Sequence, residues 1–129
     1  MAIKIKPDYA NAHYNLGNAL RREGKNSEAI SHYKMAIKLK PDFADAYNNL
    51  GIILFAERKI EEAISHYKMA IKIKPDFAKA HNNLGAVLFN AKMTEEAIGY
   101  FKEAIRIWPG FAAAQKNLEM ALLRSEELE

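Results

Sequence analysis

Residues Ser65–Phe77 read SHYKMAIKIKPDF, and Ser31–Phe43 read SHYKMAIKLKPDF, so two stretches of one chain differ only in Leu39 against Ile73. The echo has a fixed period. Pro7, Pro41, Pro75 and Pro109 stand 34 residues apart, and the chain has no other proline. Self-similarity at such a period marks stacked units, each of which buries its apolar face only against its neighbours. The expected fold is an all-α solenoid of antiparallel helix pairs.

Working outward from that stretch, one unit spans Ala10–Phe43. In its first half Ala12, Leu16, Gly17, Ala19 and Leu20 recur at three- and four-residue spacing, which predicts a helix with one buried stripe. A polar turn, Glu23–Ser27, follows, in which Asn26 or Ser27 can cap the next helix. That helix carries Ala29, Ile30, Tyr33, Ala36, Ile37 and Leu39, places Lys38 and Lys40 in its last turn, and stops before Pro41. Units Ala44–Phe77 and Ala78–Phe111 repeat the plan with Leu50, Gly51, Leu54, Ala63, Tyr67 and Ala70, then Leu84, Gly85, Leu88, Ala97, Phe101 and Ala104. Glycine inside a helix costs about 1 kcal/mol relative to alanine. Gly17, Gly51 and Gly85 therefore point to close helix approach, with the equally spaced Ala29, Ala63 and Ala97 as expected partners.

Ala2–Asp8 is identical to Ala70–Asp76. Residues 2–9 thus read as a partial unit, and the chain as a fragment of a longer array beginning in mid-unit. Residues 10–43, 44–77 and 78–111 are full units, and 112–125 a terminal helix, with Glu119 in the place of the helical glycines and a polar outer face to end the array.

Composition narrows the function. Of 129 residues, 50% are hydrophobic and 27% charged, a balance that buries a core. The net charge of +3 is spread along the units, which argues against nucleic acid as a partner. Without cysteine there is no disulfide or thiolate chemistry. The longest apolar run, Ile52–Ala56, is far below a membrane span, so a soluble, cytoplasmic protein is expected. The four histidines are repeat echoes, His13 with His81 and His32 with His66, and lack metal-ligand spacing. Glu61, Glu62, Glu95 and Glu96 suit the first turn of second helices better than acid catalysis. Tyr33, Tyr67 and Phe101 read as core, not as a base-stacking surface. No cofactor and no enzymatic activity are expected.

Asn-Leu-Gly at 15–17, 49–51 and 83–85, Glu-Ala-Ile at 28–30, 62–64 and 96–98, the alanines Ala36, Ala70 and Ala104, and the prolines resemble the tetratricopeptide repeat in phase over essentially the whole chain. Two departures stand out. His13, Tyr47 and His81 replace the family's tryptophan, and the turn glycine Gly24 becomes Arg58 and Lys92, which implies a slightly less regular stack. The resemblance implies a right-handed superhelical solenoid whose first helices line a concave groove for peptides or proteins.

Asn15, Asn49, Asn83 and Asn117 form a file 34 residues apart. Each precedes the buried stripe by one residue, which turns it about 100° from the core direction. Asparagine offers a donor and an acceptor, so the file can pair with the backbone of an extended peptide, or with a neighbouring helix to fix the superhelical pitch. The file looks like the asparagine ladder in the repeat region of O-linked N-acetylglucosamine transferases. The same resemblance places Asn11, Tyr14, Asn18, Arg21 and Arg22, then Asp45, Asn48, Ile52 and Phe55, then Lys79, Asn82, Ala86 and Phe89, then Lys116 and Arg124 along the groove. A ligand with acidic residues for Arg21 and Arg22 and an apolar anchor for Phe55 or Phe89 would suit it. Asn18, Asn49 and Lys79 occupy positions of the co-chaperone carboxylate clamp, but Tyr14 and Asn83 replace its other cations, which argues against a two-carboxylate grip. The function expected is a non-catalytic protein-interaction module that binds an extended peptide. The alternatives are a self-associating scaffold that stacks through its ends into a homo-oligomer, and the substrate-recognition arm of a larger enzyme such as a glycosyltransferase.

Overall fold

The computed structural model describes the backbone of residues 2–128 and the side chains of residues 9–127. Among the described residues seven helices follow one another: α1 (Ala2–Arg22), α2 (Asn26–Leu39), α3 (Ala44–Ala56), α4 (Ile60–Ile73), α5 (Ala78–Asn90), α6 (Thr94–Ile107) and α7 (Ala112–Leu128). α1 packs with α2, α3 with α4 and α5 with α6, and each pair stacks on the next, so the expected all-α solenoid of helix pairs is what forms. Among the described residues no helix is long and apolar enough to cross a membrane.

Each pair closes around one ring. Tyr33 is 0% exposed and Tyr67 and Phe101 are each 1% exposed. A Cβ built on Gly17 would come within 2.8 Å of Tyr33, one on Gly51 within 2.7 Å of Tyr67, and one on Gly85 within 2.5 Å of Phe101. The helical glycines therefore make room for these rings. The expected partners, Ala29, Ala63 and Ala97, are buried in the same cluster but are not what the glycines accommodate.

The turns inside the pairs are set by the backbone. The amides of Lys25, Lys59 and Met93 donate to the carbonyls of Leu20, Leu54 and Leu88 at 2.9, 2.8 and 2.8 Å. Those of Gly24, Arg58 and Lys92 donate three residues back, to Arg21, Phe55 and Phe89. This Schellman pattern needs a left-handed residue, and Gly24, Arg58 and Lys92 take φ of 78°, 65° and 66°. The loss of glycine at Arg58 and Lys92 thus leaves the turn unchanged. No side chain caps α2: Lys25 is its N-cap residue and Asn26 already lies in the helix, contrary to the expected asparagine or serine cap.

The ends depart from the interior. Leu50 and Leu84 are 1% and 0% exposed, whereas Leu16, expected in the same buried stripe, is 45% exposed. Ala12 is exposed as well, and Tyr9, in the place of Phe43 and Phe77, is 56% exposed. Residues 2–22 form one continuous helix, so Pro7 lies inside α1, whereas Pro41, Pro75 and Pro109 each follow the end of a helix. At the other end α7 continues to Leu128, past the expected limit near residue 125. Its outer face is mixed and not simply polar, since Met120, Leu122 and Leu123 are 48%, 42% and 59% exposed.

Candidate functional site

The first helices of the pairs lie side by side and are joined by amide rungs. Asn49 Nδ2 donates to Asn18 Oδ1 at 2.8 Å and to the Tyr14 hydroxyl oxygen at 3.1 Å. Asn83 Nδ2 donates to Asn48 Oδ1, and Asn117 Nδ2 to Asn82 Oδ1, both at 3.0 Å. The acceptors are buried: Asn48 is 5% and Asn82 8% exposed. Asn15 is exposed and joins no rung among the described hydrogen bonds.

The network reaches into the first pair. The Tyr33 hydroxyl donates to Asn18 Oδ1, and Arg21 Nε donates to the Tyr33 hydroxyl oxygen at 3.4 Å. Burial pushes the Tyr14 phenol above its ordinary value, and the nearby Asp45 carboxylate adds to the rise. Tyr14, Asn18 Oδ1 and both amide hydrogens of Asn49 are thus tied up within the protein, whereas Asn18 Nδ2 takes no partner among the described hydrogen bonds. Among the described hydrogen bonds, Oδ1 of Asn83 and Asn117 and Nδ2 of Asn82 take no partner.

Beside the rungs lies an open cavity of about 340 Å³ lined by Tyr14, Asp45, Asn48, Asn49, Lys74, Asp76, Phe77, Ala78, Lys79 and Trp108. Of the residues expected in the groove it gathers Tyr14, Asn48, Asn49, Asp45 and Lys79. Ile52, Phe55 and Phe89 are half-buried and packed against the core instead. The Arg124 guanidinium lies 4.5 Å from the Phe89 ring centre, and so occupies the anchor that Phe89 was expected to offer. Asn11, Arg22 and Lys116 are exposed outside the cavity, and Arg21 is half-buried against Tyr33.

Lys74, Asp76 and Trp108 were not expected in the groove. A signal existed: Lys40, Lys74 and Trp108 share one repeat position, where the echo fails only at the tryptophan. Lys40 and Lys74 sit over the rings of Phe43 and Phe77 at 4.7 and 4.9 Å, and Trp108 stacks on Phe111 at 4.4 Å. The histidines echo in a similar way. The fourth residue of each unit meets the twenty-third across the pair, as His13 on His32, Tyr47 on His66 and His81 on Tyr100. His13 and His32 share a hydrogen bond between their Nδ1 atoms at 3.0 Å. Among the described residues no group of three or more His, Asp or Glu could hold a metal.

A family model described as the TPR repeat matches residues 17–57 and 53–91, and one for the tetratricopeptide repeat matches 78–111. The chain belongs to the tetratricopeptide repeat family. Solved tetratricopeptide structures share its fold. The first TPR of Spaghetti (RPAP3), bound to the HSP90 peptide SRMEEVD, superposes with a TM-score of 0.89 at 23% identity, covering 92% of this chain and 94% of that one. The Arabidopsis OM64 TPR domain gives 0.89 at 20% identity, covering 92% and 98%. The N-terminal domain of stress-induced protein-1 from C. elegans gives 0.78 at 25% identity, covering 88% and 95%. No curated protein sequence matches the chain.

Proposed function

We propose that this tetratricopeptide array is a non-catalytic interaction module that holds an extended peptide along the face formed by α1, α3, α5 and α7. The observation that carries the reading is the row of amides beside an open cavity. The Asn83 and Asn117 rungs each spend one donor between helices and leave Asn83 Oδ1, Asn117 Oδ1 and Asn82 Nδ2 to pair with a peptide backbone, whatever its side chains. The resemblance to the repeat arm of O-linked N-acetylglucosamine transferases implies the same use of such a file. That a tetratricopeptide relative of similar fold was solved with a peptide bound supports it further. The tests are selection of phage-displayed random dodecapeptides on the folded chain and affinity measurement of the best binder. Asn49→Ala with Asn83→Ala should weaken it at least tenfold, measured below the melting range of the variant. Failure to select any peptide, or amide shifts on binding confined to α2, α4 and α6, would refute the groove.

A second reading, self-association through the ends, is favoured by the uncovered Tyr9, Ala12 and Leu16 on α1 and Met120, Leu122 and Leu123 on α7. Light scattering across concentration tests it. Mass that grows with concentration and returns to monomer in Leu16→Glu supports it, and constant monomer mass removes it.

A further inference from the structure

Where the repeat echo breaks inside the cavity, it breaks in charge and in apolar bulk. The second residue of the unit 44–77 is Asp45, and its equivalent one unit on is Lys79. Lys74 gives way one unit on to Trp108, which is 46% exposed although its ring stacks on Phe111. All four residues line the same cavity. Among the described residues, neither Asp45 nor Lys79 takes part in an ion pair. Asp76 and Lys74 also line the cavity, two residues apart in one loop, with Lys74 Nζ over the Phe77 ring.

These features lie in order along the array, because Asp45 is the second residue of α3, Lys79 the second of α5, and Trp108 stands between α6 and α7. Packed helices stand about 8–10 Å apart, and an extended strand advances about 3.3 Å per residue. One unit of the groove therefore takes up roughly three residues of an extended peptide. A large, half-exposed indole already fixed by stacking is a rigid apolar shelf, the type of side chain that anchors interfaces at low entropic cost. Exposed unpaired charges of opposite sign select between partners more than they tighten binding.

Resting on the peptide-groove reading, we infer that the partner is an extended segment with a large apolar side chain on Trp108, an acidic residue about three positions away facing Lys79, and a basic residue about three further facing Asp45. The apolar anchor is then Trp108, in place of Phe55 or Phe89, and the ligand is charged in both senses instead of simply acidic.

The experiment selects phage-displayed random dodecapeptides on the wild-type chain, on Trp108→Lys, and on the charge exchange Asp45→Lys with Lys79→Asp. Lysine at 108 is what the other two units carry as Lys40 and Lys74, so the fold accommodates it. Wild-type binders should share the basic, acidic, apolar order at three-residue spacing, in either chain direction. They should bind Trp108→Lys at least tenfold more weakly, and the charge exchange should select the opposite order of signs. Trp108 is the only tryptophan, so its fluorescence should also shift when a selected peptide binds. Wild-type binders without the pattern, or with equal affinity for Trp108→Lys, would overturn the inference. If Asn49→Ala with Asn83→Ala weakens those same peptides, the groove reading survives that result. If no peptide is selected at all, both fall.

Discussion

Replacing Gly51 by alanine sets two known effects against each other inside α3. Helix propensity alone favours alanine by about 1 kcal/mol. The new methyl, however, would sit 2.7, 2.9 and 3.0 Å from three carbons of the Tyr67 ring, where carbon contacts are comfortable only at about 3.5–4.0 Å. Tyr67 is 1% exposed between the two helices and has no open side towards which to slide. Overpacking of this kind costs roughly 1–3 kcal/mol, and three crowded contacts on a trapped ring belong at the upper end. After the propensity gain is subtracted, Gly51→Ala should lose about 1–2 kcal/mol. Gly99 supplies the control, because it too is helical, in α6, but nothing lies within 4 Å of a Cβ built there. Gly99→Ala should gain about 1 kcal/mol. The assay is urea unfolding followed by far-UV circular dichroism, with an unchanged slope confirming that the same transition is compared. Adding Tyr67→Leu to Gly51→Ala should recover part of the loss, as a favourable coupling between the two sites. If Gly51→Ala and Gly99→Ala both stabilise, propensity alone governs and the ring-against-glycine account of the pair is wrong.

Other consequences follow from the same geometry. Arg58→Gly and Lys92→Gly should each raise stability by about 0.5–1 kcal/mol, since both side chains sit at positive φ in a turn held by backbone bonds, and a lowered urea midpoint would contradict this. Asn83→Ala should cost about 1–3 kcal/mol by orphaning the buried Asn48 Oδ1, whereas Asn15→Ala, which breaks no rung, should leave the midpoint where it is. Burial raises the Tyr67 phenol above its ordinary value of 10.0, so its contribution is intact below about pH 10 and is lost as pH climbs towards the folded-state value. Stability should then fall by up to about 1.4 kcal/mol per pH unit for such a group. Tyr67→Phe should flatten that alkaline decline, and an unchanged decline would refute the assignment.

Much of this architecture is readable from the period of 34. A residue such as Tyr67 or Leu84 meets the same surroundings in every unit, so its recurrence reports burial directly. The period does not say which of several recurring residues touch. Ala63 and Tyr67 repeat equally well opposite Gly51, and only the distances separate them. Coverage is equally invisible, because Leu16 and Leu50 share a pattern but only Leu50 is buried. The asparagine file was legible as a file. That its members donate to a second amide file at Asn48 and Asn82, 35 residues earlier, depends on the rotation between units, which spacing within one helix does not encode. The cavity was half legible: Tyr14, Asn49 and Lys79 were expected there, while Trp108 and Lys74 reach it from the connecting turns and not from the helices.

The places where the echo fails have a physical order of their own. A side chain wedged between two units must fit the same rings and helices each time, so substitution there costs packing, and the chain answers with repetition at Gly17, Gly51 and Gly85. A side chain that looks into the cavity meets solvent or a ligand, which does not repeat with the protein, and nothing forces Asp45 and Lys79, or Lys74 and Trp108, to agree. In a stacked array, therefore, periodic residues build the frame, and the departures on its inner face are where one partner can be told from another. The rungs sit between these classes. Asn49, Asn83 and Asn117 repeat because they tie helices together, yet Asn83 and Asn117 each keep a carbonyl oxygen free, and an extended backbone is the ligand whose own groups recur as the asparagines do.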